Sequence, residues 1–125
     1  MMSRFVLVVD DDRDIRDSLV EALEDHGHRA VGAANGREAL DVLRTSAEPP
    51  CLILLDLMMP VMDGREFREQ QVQSPALADI PVIVISAYND VGEQARALGV
   101  DHLRKPLAMR GLLDAVRRYC HGATS

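Results

Sequence analysis

Residues that could do chemistry fall in four places along this chain. Asp10, Asp11 and Asp12 follow the apolar run FVLVV, Asp56 sits inside CLILLDLMMPVMDG, Ser86 closes PVIVIS, and Lys105 precedes Pro106. Asp56 is the odd one. Cys51 to Leu55 lead into it and Leu57 to Met59 follow, so it is an acid in a stretch that reads as buried, where an unpartnered charge is costly. Clustered carboxylates repel, and one takes up a proton unless a cation intervenes. Carboxylate and carbonyl oxygens without His or Cys favour Mg²⁺, with Mn²⁺ able to replace it. A carboxylate is also a nucleophile, and attack on phosphorus gives an acyl phosphate. A metal, an ammonium and a hydroxyl would then neutralise the phosphoryl oxygens. Each feature also has a plain reading: Asp12 or Asp14 as a helix cap, Ser86 as a structural hydroxyl, Lys105 as a surface cation. The chemical reading gains from coincidence, because all these residues fall on one edge of an independently inferred fold.

That fold comes from an alternation. Apolar runs at 5–9, 29–33, 51–55, 81–86 and 102–104 alternate with helical patterns. The first, third and fourth are continuous, as suits strands buried on both faces of a parallel sheet. Ile15, Leu19, Ala22, Leu23 and His26 share one helical face, with Gly27 as a stop. Residues 36–44 bring Ala39, Leu40 and Leu43 together, and Phe67 and Val72 are the anchors expected of a mostly polar helix over 65–72. Val91, Ala95 and Leu98 mark a fourth helix, and Leu112, Leu113, Val116 and Cys120 a fifth over 108–120. Five β-α units predict an α/β fold, a doubly wound five-stranded parallel sheet with right-handed crossovers. Its ligand site belongs at the carboxyl ends of the strands.

Bulk properties narrow the function. The chain's 125 residues fit one domain, with a core over about 4–120. A net charge of −6 argues against direct nucleic-acid binding. No apolar run approaches the roughly 18 residues needed to span a membrane, and no signal-peptide pattern opens the chain. A cytoplasmic protein without membrane attachment is the expectation. Cys51 and Cys120 form no CxxC and have no His cluster beside them, so both are expected to be plain thiols, with neither zinc nor a disulfide.

With these residues in place, the chain closely resembles the receiver domain of two-component response regulators. The resemblance rests on VVDDD (8–12), LLDLMMPVMDG (54–64), VIVISA (82–87) and LRKPL (103–107), in the family's order. It implies the flavodoxin-like strand order 2-1-3-4-5 and transfer of a phosphoryl group to an Asp from a sensor histidine kinase or a histidine phosphotransfer protein. By matching position, Asp56 is similar to the phosphoacceptor and Asp11 to a direct Mg²⁺ ligand. Asp10 resembles the acid that acts on the metal, often through water, and the backbone carbonyl of Met58 a further ligand. Ser86 resembles the hydroxyl that reorients onto the phosphoryl group, and Lys105 the ammonium that pairs with it. The Lys105–Pro106 bond is cis in the family pattern. Gly64 suits a tight turn after Asp63, with positive φ expected. The resemblance implies signalling through the helix 4, strand 5 and helix 5 face, by docking an unknown downstream protein, by phosphorelay, or through a homodimer.

Two features depart from the family pattern. Its aromatic switch position holds His102, an imidazole that titrates near neutral pH, so weaker or pH-sensitive coupling to Ser86 is one expectation and an exposed edge residue the other. Ser86 and Lys105 are close in sequence, and Gly92 weakens the helix between them. Met58 and Tyr88 flank the expected water approach and offer no group to orient water, which predicts slow loss of the phosphoryl group. The chain is therefore expected to accept and slowly hydrolyse a phosphoryl group, not to turn over as an enzyme. Three rivals are weaker. A haloacid dehalogenase-like phosphohydrolase would want Thr or Val at position 14, where Asp14 stands. A flavodoxin-like binder would want a Ser/Thr-rich loop in place of DDDRD. A degenerate docking module would not need the complete set of Asp10, Asp11, Asp56, Ser86 and Lys105. A stand-alone receiver and a fragment of a longer protein both fit the sequence.

Overall fold

The computed structural model describes residues 4–57, 63–86, 91–105 and 108–120. The strands are β1 (Phe5–Val9), β2 (Arg29–Ala33), β3 (Leu52–Asp56), β4 (Val82–Ser86) and β5 (Asp101–Arg104). They alternate with α1 (Arg13–Asp25), α2 (Gly36–Thr45), α3 (Gly64–Gln73), α4 (Val91–Leu98) and α5 (Met109–Tyr119). All strand pairs are parallel and the order is β2-β1-β3-β4-β5. This is the architecture expected from the continuous apolar runs. β1, β3 and β4 are buried throughout, whereas the edge strands β2 and β5 are largely exposed.

The sheet's pleat splits the core in two. Leu7, Val9, Ile53, Leu55 and Val84 face Leu40, Leu43, Phe67 and Ala95 of α2, α3 and α4. Val6, Val8, Leu52, Leu54 and Ile85 face Leu19 and Leu23 of α1 and Leu112, Leu113 and Val116 of α5. The period of two in the strands thus assigns each helix to a side.

Helix starts follow from short polar side chains. Asp12 caps α1, its carboxylate accepting from Asp14 N and Ile15 N at 3.0 and 3.2 Å. Asn35 caps α2 through Glu38 N, while Glu38 accepts in return from Ala34 N. Asp63 caps α3 through Glu66 N. Gly27 ends α1 with φ +86°, a region costly to other residues.

Several sequence expectations are corrected. Val72 is 48% exposed, and the second anchor of α3 is Gln71, which is fully buried. Gln71 Nε2 donates to Leu77 O and Ile80 O at 2.9 and 3.0 Å, and its Oε1 accepts from Arg68 Nη1 at 2.9 Å. An amide can be buried there because the turn leading to β4 takes both of its N–H donors and Arg68 of α3 meets its oxygen. His26 lies outside the core; it is exposed, and its Nδ1 meets Ala22 O at 2.8 Å. Gly64 is not among the glycines with positive φ. A Cβ there would sit 2.8 Å from Asp56 O and 2.9 Å from Leu57 Cα, so the residue is small because α3 starts against the end of β3.

The largest correction concerns the cysteines, which are not free thiols: a disulfide joins Cys51 to Cys120. They lie 69 residues apart with Cα atoms 5.4 Å from each other. Linear spacing cannot show this pairing. It follows from the crossover that lays the end of α5 over the start of β3.

Candidate functional site

The site is built by register. Val9 pairs with Leu55, so Asp10 and Asp56 stand side by side where β1 and β3 end. Ser86 pairs with Arg104, so Lys105 follows at the end of β5, and its N–H donates to Ser86 O at 2.9 Å. These are carboxyl ends of parallel strands, where ligands bind in such folds.

Asp10 is fully buried, Asp56 is 5% and Ser86 2% exposed, and Asp11 faces solvent. Asp10, Asp11 and Asp56 each offer a carboxylate oxygen, all within 4.8 Å of one another. Lys105 Nζ lies 3.1 Å from Asp10 Oδ2 and donates to Asp56 Oδ2 at 3.5 Å. Burial alone would push the Lys105 pKa down, but contact with Asp10 and Asp56 outweighs it and raises the pKa above the ordinary 10.5. Lys105 is therefore a fixed positive charge between the two acids.

The donor set fits a divalent cation. Asp10 Oδ1 accepts from Asp12 N at 2.9 Å, but buried Asp10 Oδ2 has no hydrogen-bond partner among the described residues. Lys105 Nζ is within ion-pair reach of that oxygen without hydrogen-bond geometry. A buried carboxylate oxygen with a lone pair to spare, next to two more carboxylates, is what a hard cation requires.

Arg16 is a residue that the sequence alone does not mark. Its Nη1 donates to Asp10 O at 2.9 Å, and its stem crosses Gly32, where a Cβ would lie 3.0 Å from both Cγ and Cδ. Arg16 thus clamps the backbone that presents Asp10 and brings a positive charge near the acids. The only signals in sequence are an Arg six residues after Asp10 and a glycine inside β2.

The ring of His102 lies against α4: a Cβ on Gly92 would be 3.4 Å from its Cε1. The glycine that weakens α4 also makes room for this imidazole. Met58, Tyr88 and Pro106 lie outside the described residues. A groove of about 590 Å³ lined by Arg68, Asp79, Arg96, Asp101 and Tyr119 contains none of the clustered acids.

Comparison with known proteins agrees with this geometry. The model of the response regulator receiver domain matches residues 6–117. The chain belongs to the response regulator receiver family. It is 39% identical over 115 residues to the response regulator MprA of Mycolicibacterium vanbaalenii, covering 90% of this chain and 48% of that protein. MprA of Mycobacterium tuberculosis H37Rv is 38% identical over 119 residues, 93% of this chain and 50% of that one. The receiver therefore spans about half the length of these curated relatives. Among solved structures, a response regulator receiver protein from Pseudomonas putida is 33% identical with a TM-score of 0.85, covering 94% of this chain and 98% of the other. Vibrio cholerae chemotaxis protein CheY4 is 29% identical with a TM-score of 0.83, covering 94% and 99%. Receiver identity makes phosphorylation and two-component signalling the coarse function of this chain.

Proposed function

We propose that Asp56 accepts a phosphoryl group from the phosphohistidine of a sensor histidine kinase or a histidine phosphotransfer protein. The observation that carries this is the nearly buried Asp56 carboxylate, held by Lys105 at 3.5 Å and grouped with Asp10 and Asp11. An Asp56 oxygen attacks phosphorus; the new O–P bond forms as the P–N bond breaks, and the leaving imidazole nitrogen takes up a proton. Lys105 supplies charge to a phosphoryl oxygen, and Ser86, at the end of the neighbouring strand, supplies a hydroxyl. Asp10, Asp11, Asp56 and the Met58 carbonyl would hold Mg²⁺ or Mn²⁺, which when bound neutralises phosphoryl charge. The domain keeps the group and loses it slowly, without acting as a turnover enzyme.

Ser86 and His102 serve as the switch. His102 covers Gly92 at the start of α4, so a shift at the end of β4 reaches α4 and β5. The α4, β5 and α5 face then signals to a downstream protein, along a phosphorelay, or to a second copy. The test is to treat the protein with a small acyl phosphate and Mg²⁺ and map the modified peptide. A hydroxylamine-labile phosphoryl group on the peptide containing Asp56 is expected. Modification elsewhere, with Asp56 untouched, would overturn the assignment.

A further inference from the structure

The Cys51–Cys120 disulfide lies at the end of the sheet opposite the acidic cluster, because Cys51 leads into β3 and Asp56 closes it. One partner is fixed: Cys51 N–H donates to Phe5 O at 2.9 Å, and the central strand begins at the next residue. The other is the C-cap of α5. The bond therefore pins the end of α5 to the floor of the sheet.

Around that pin the polar restraints on the helix end are weak. Tyr119 OH donates to Asp101 Oδ2 at 2.8 Å, and Arg118 lies 4.0 Å from the same carboxylate. Both contacts are exposed, and such pairs contribute little. Asp101 opens β5, and Lys105 follows that strand. Pin, helix end, β5 and site lysine are thus consecutive in physical contact.

The packing around the bond also suits the reduced thiols. Both cysteines are among the buried residues packed with Leu23, Leu52, Leu112 and Val116, where a reduced Cys behaves as a small apolar side chain. The sequence has only these two cysteines, so no alternative pairing within it competes. Oxidised and reduced states can both be folded, as a reversible device requires. Where proteins work among thiol reductants, such bonds are usually transient and redox-sensing.

We propose that Cys51–Cys120 is a redox-operated pin that sets how far α5 and β5 respond when Asp56 is phosphorylated. Its regulatory part rests on the receiver reading above. A small disulfide such as glutathione disulfide is the oxidant. The thiolate of Cys120, at the helix end, attacks it and releases one glutathione thiol; the thiolate of Cys51 then displaces the second. Two protein thiols are oxidised, one small disulfide is reduced, and two thiols are released. A dithiol reductant reverses the sequence.

The test uses the intact protein in glutathione redox buffers. Alkylation and intact mass give the number of free thiols, and hydrogen exchange is followed in the same samples. A reversible passage between two free thiols and none is expected. Reduction and Cys120→Ser should each speed exchange over 101–104 and 115–120 without changing the amides after Asp10. Phosphorylation should then alter exchange in α5 and β5 about fivefold more in reduced than in oxidised protein. Folded protein that forms no bond in glutathione disulfide would overturn the proposal. So would a bond that leaves α5 and β5 exchange the same in both states. Failure of every form to accept phosphate would instead overturn the receiver reading, and the exchange of unphosphorylated protein would still decide the pin.

Discussion

Lys105 is the residue on which the charge balance of the site turns. Its pKa is raised, so folding is helped while it carries its proton, and this help is complete below the ordinary 10.5. It is lost as pH climbs through the higher folded value. Thermal melts from neutral to strongly alkaline pH should therefore show wild type losing more stability above pH 10.5 than Lys105→Met. Parallel curves for the two proteins would mean that the lysine is not held by Asp10 and Asp56. Gly64 tests the other side of the site. Gly64→Ala drives a Cβ against Asp56 O and should cost about 1–3 kcal/mol in urea unfolding, with slower phosphorylation. At this scale the sequence was informative about acids and silent about their clamps. Asp10, Asp11, Asp56, Ser86 and Lys105 stand out by type at strand ends. Arg16 does not, because an arginine on a helix looks solvated until its reach over Gly32 is seen. Gly64 stood out, but for the wrong reason: close approach can only be seen in three dimensions.

At the scale of elements, strands were easier to read than helix faces. β1, β3 and β4 are continuous apolar runs, and no other reading of their position competes. The weakly amphipathic α3 misled, since Val72 has the right spacing but Gln71 has the partners. Apolarity marks a buried face only where backbone groups do not need satisfying, and here two carbonyls do. Gln71→Ala should leave Leu77 O and Ile80 O without their donor and cost about 1–3 kcal/mol. Urea unfolding checks this, and a change under half a kcal/mol would show that water replaces the amide. Phe67→Ala, which empties a fully buried site on the same helix, should cost about 3–5 kcal/mol.

At the scale of the whole molecule, the disulfide ties together what the sheet alone only stacks. It closes 69 residues of chain, for which loop-closure entropy gives up to about 4 kcal/mol. For a domain of this size each kcal/mol is worth about 4 °C at the midpoint. Calorimetry with and without a dithiol should therefore show a drop on the order of 10–15 °C, and no drop would mean that the bond does not form in solution. Local pattern could not reveal this link, because it depends on the crossover that returns α5 to β3. The same crossover logic placed the acids and Lys105 on the opposite edge, where chemistry had been expected. Topology thus explains both the success and the miss.

The chemistry of this domain turns on Asp56. The most direct measurement is intact mass after incubation with a small acyl phosphate, with Mg²⁺ or a chelator, for wild type and Asp56→Asn. One added phosphoryl group is expected on wild type with Mg²⁺, with none in the variant or without metal. Folded wild type that gains no mass, or an Asp56→Asn protein that gains the same mass, would contradict it.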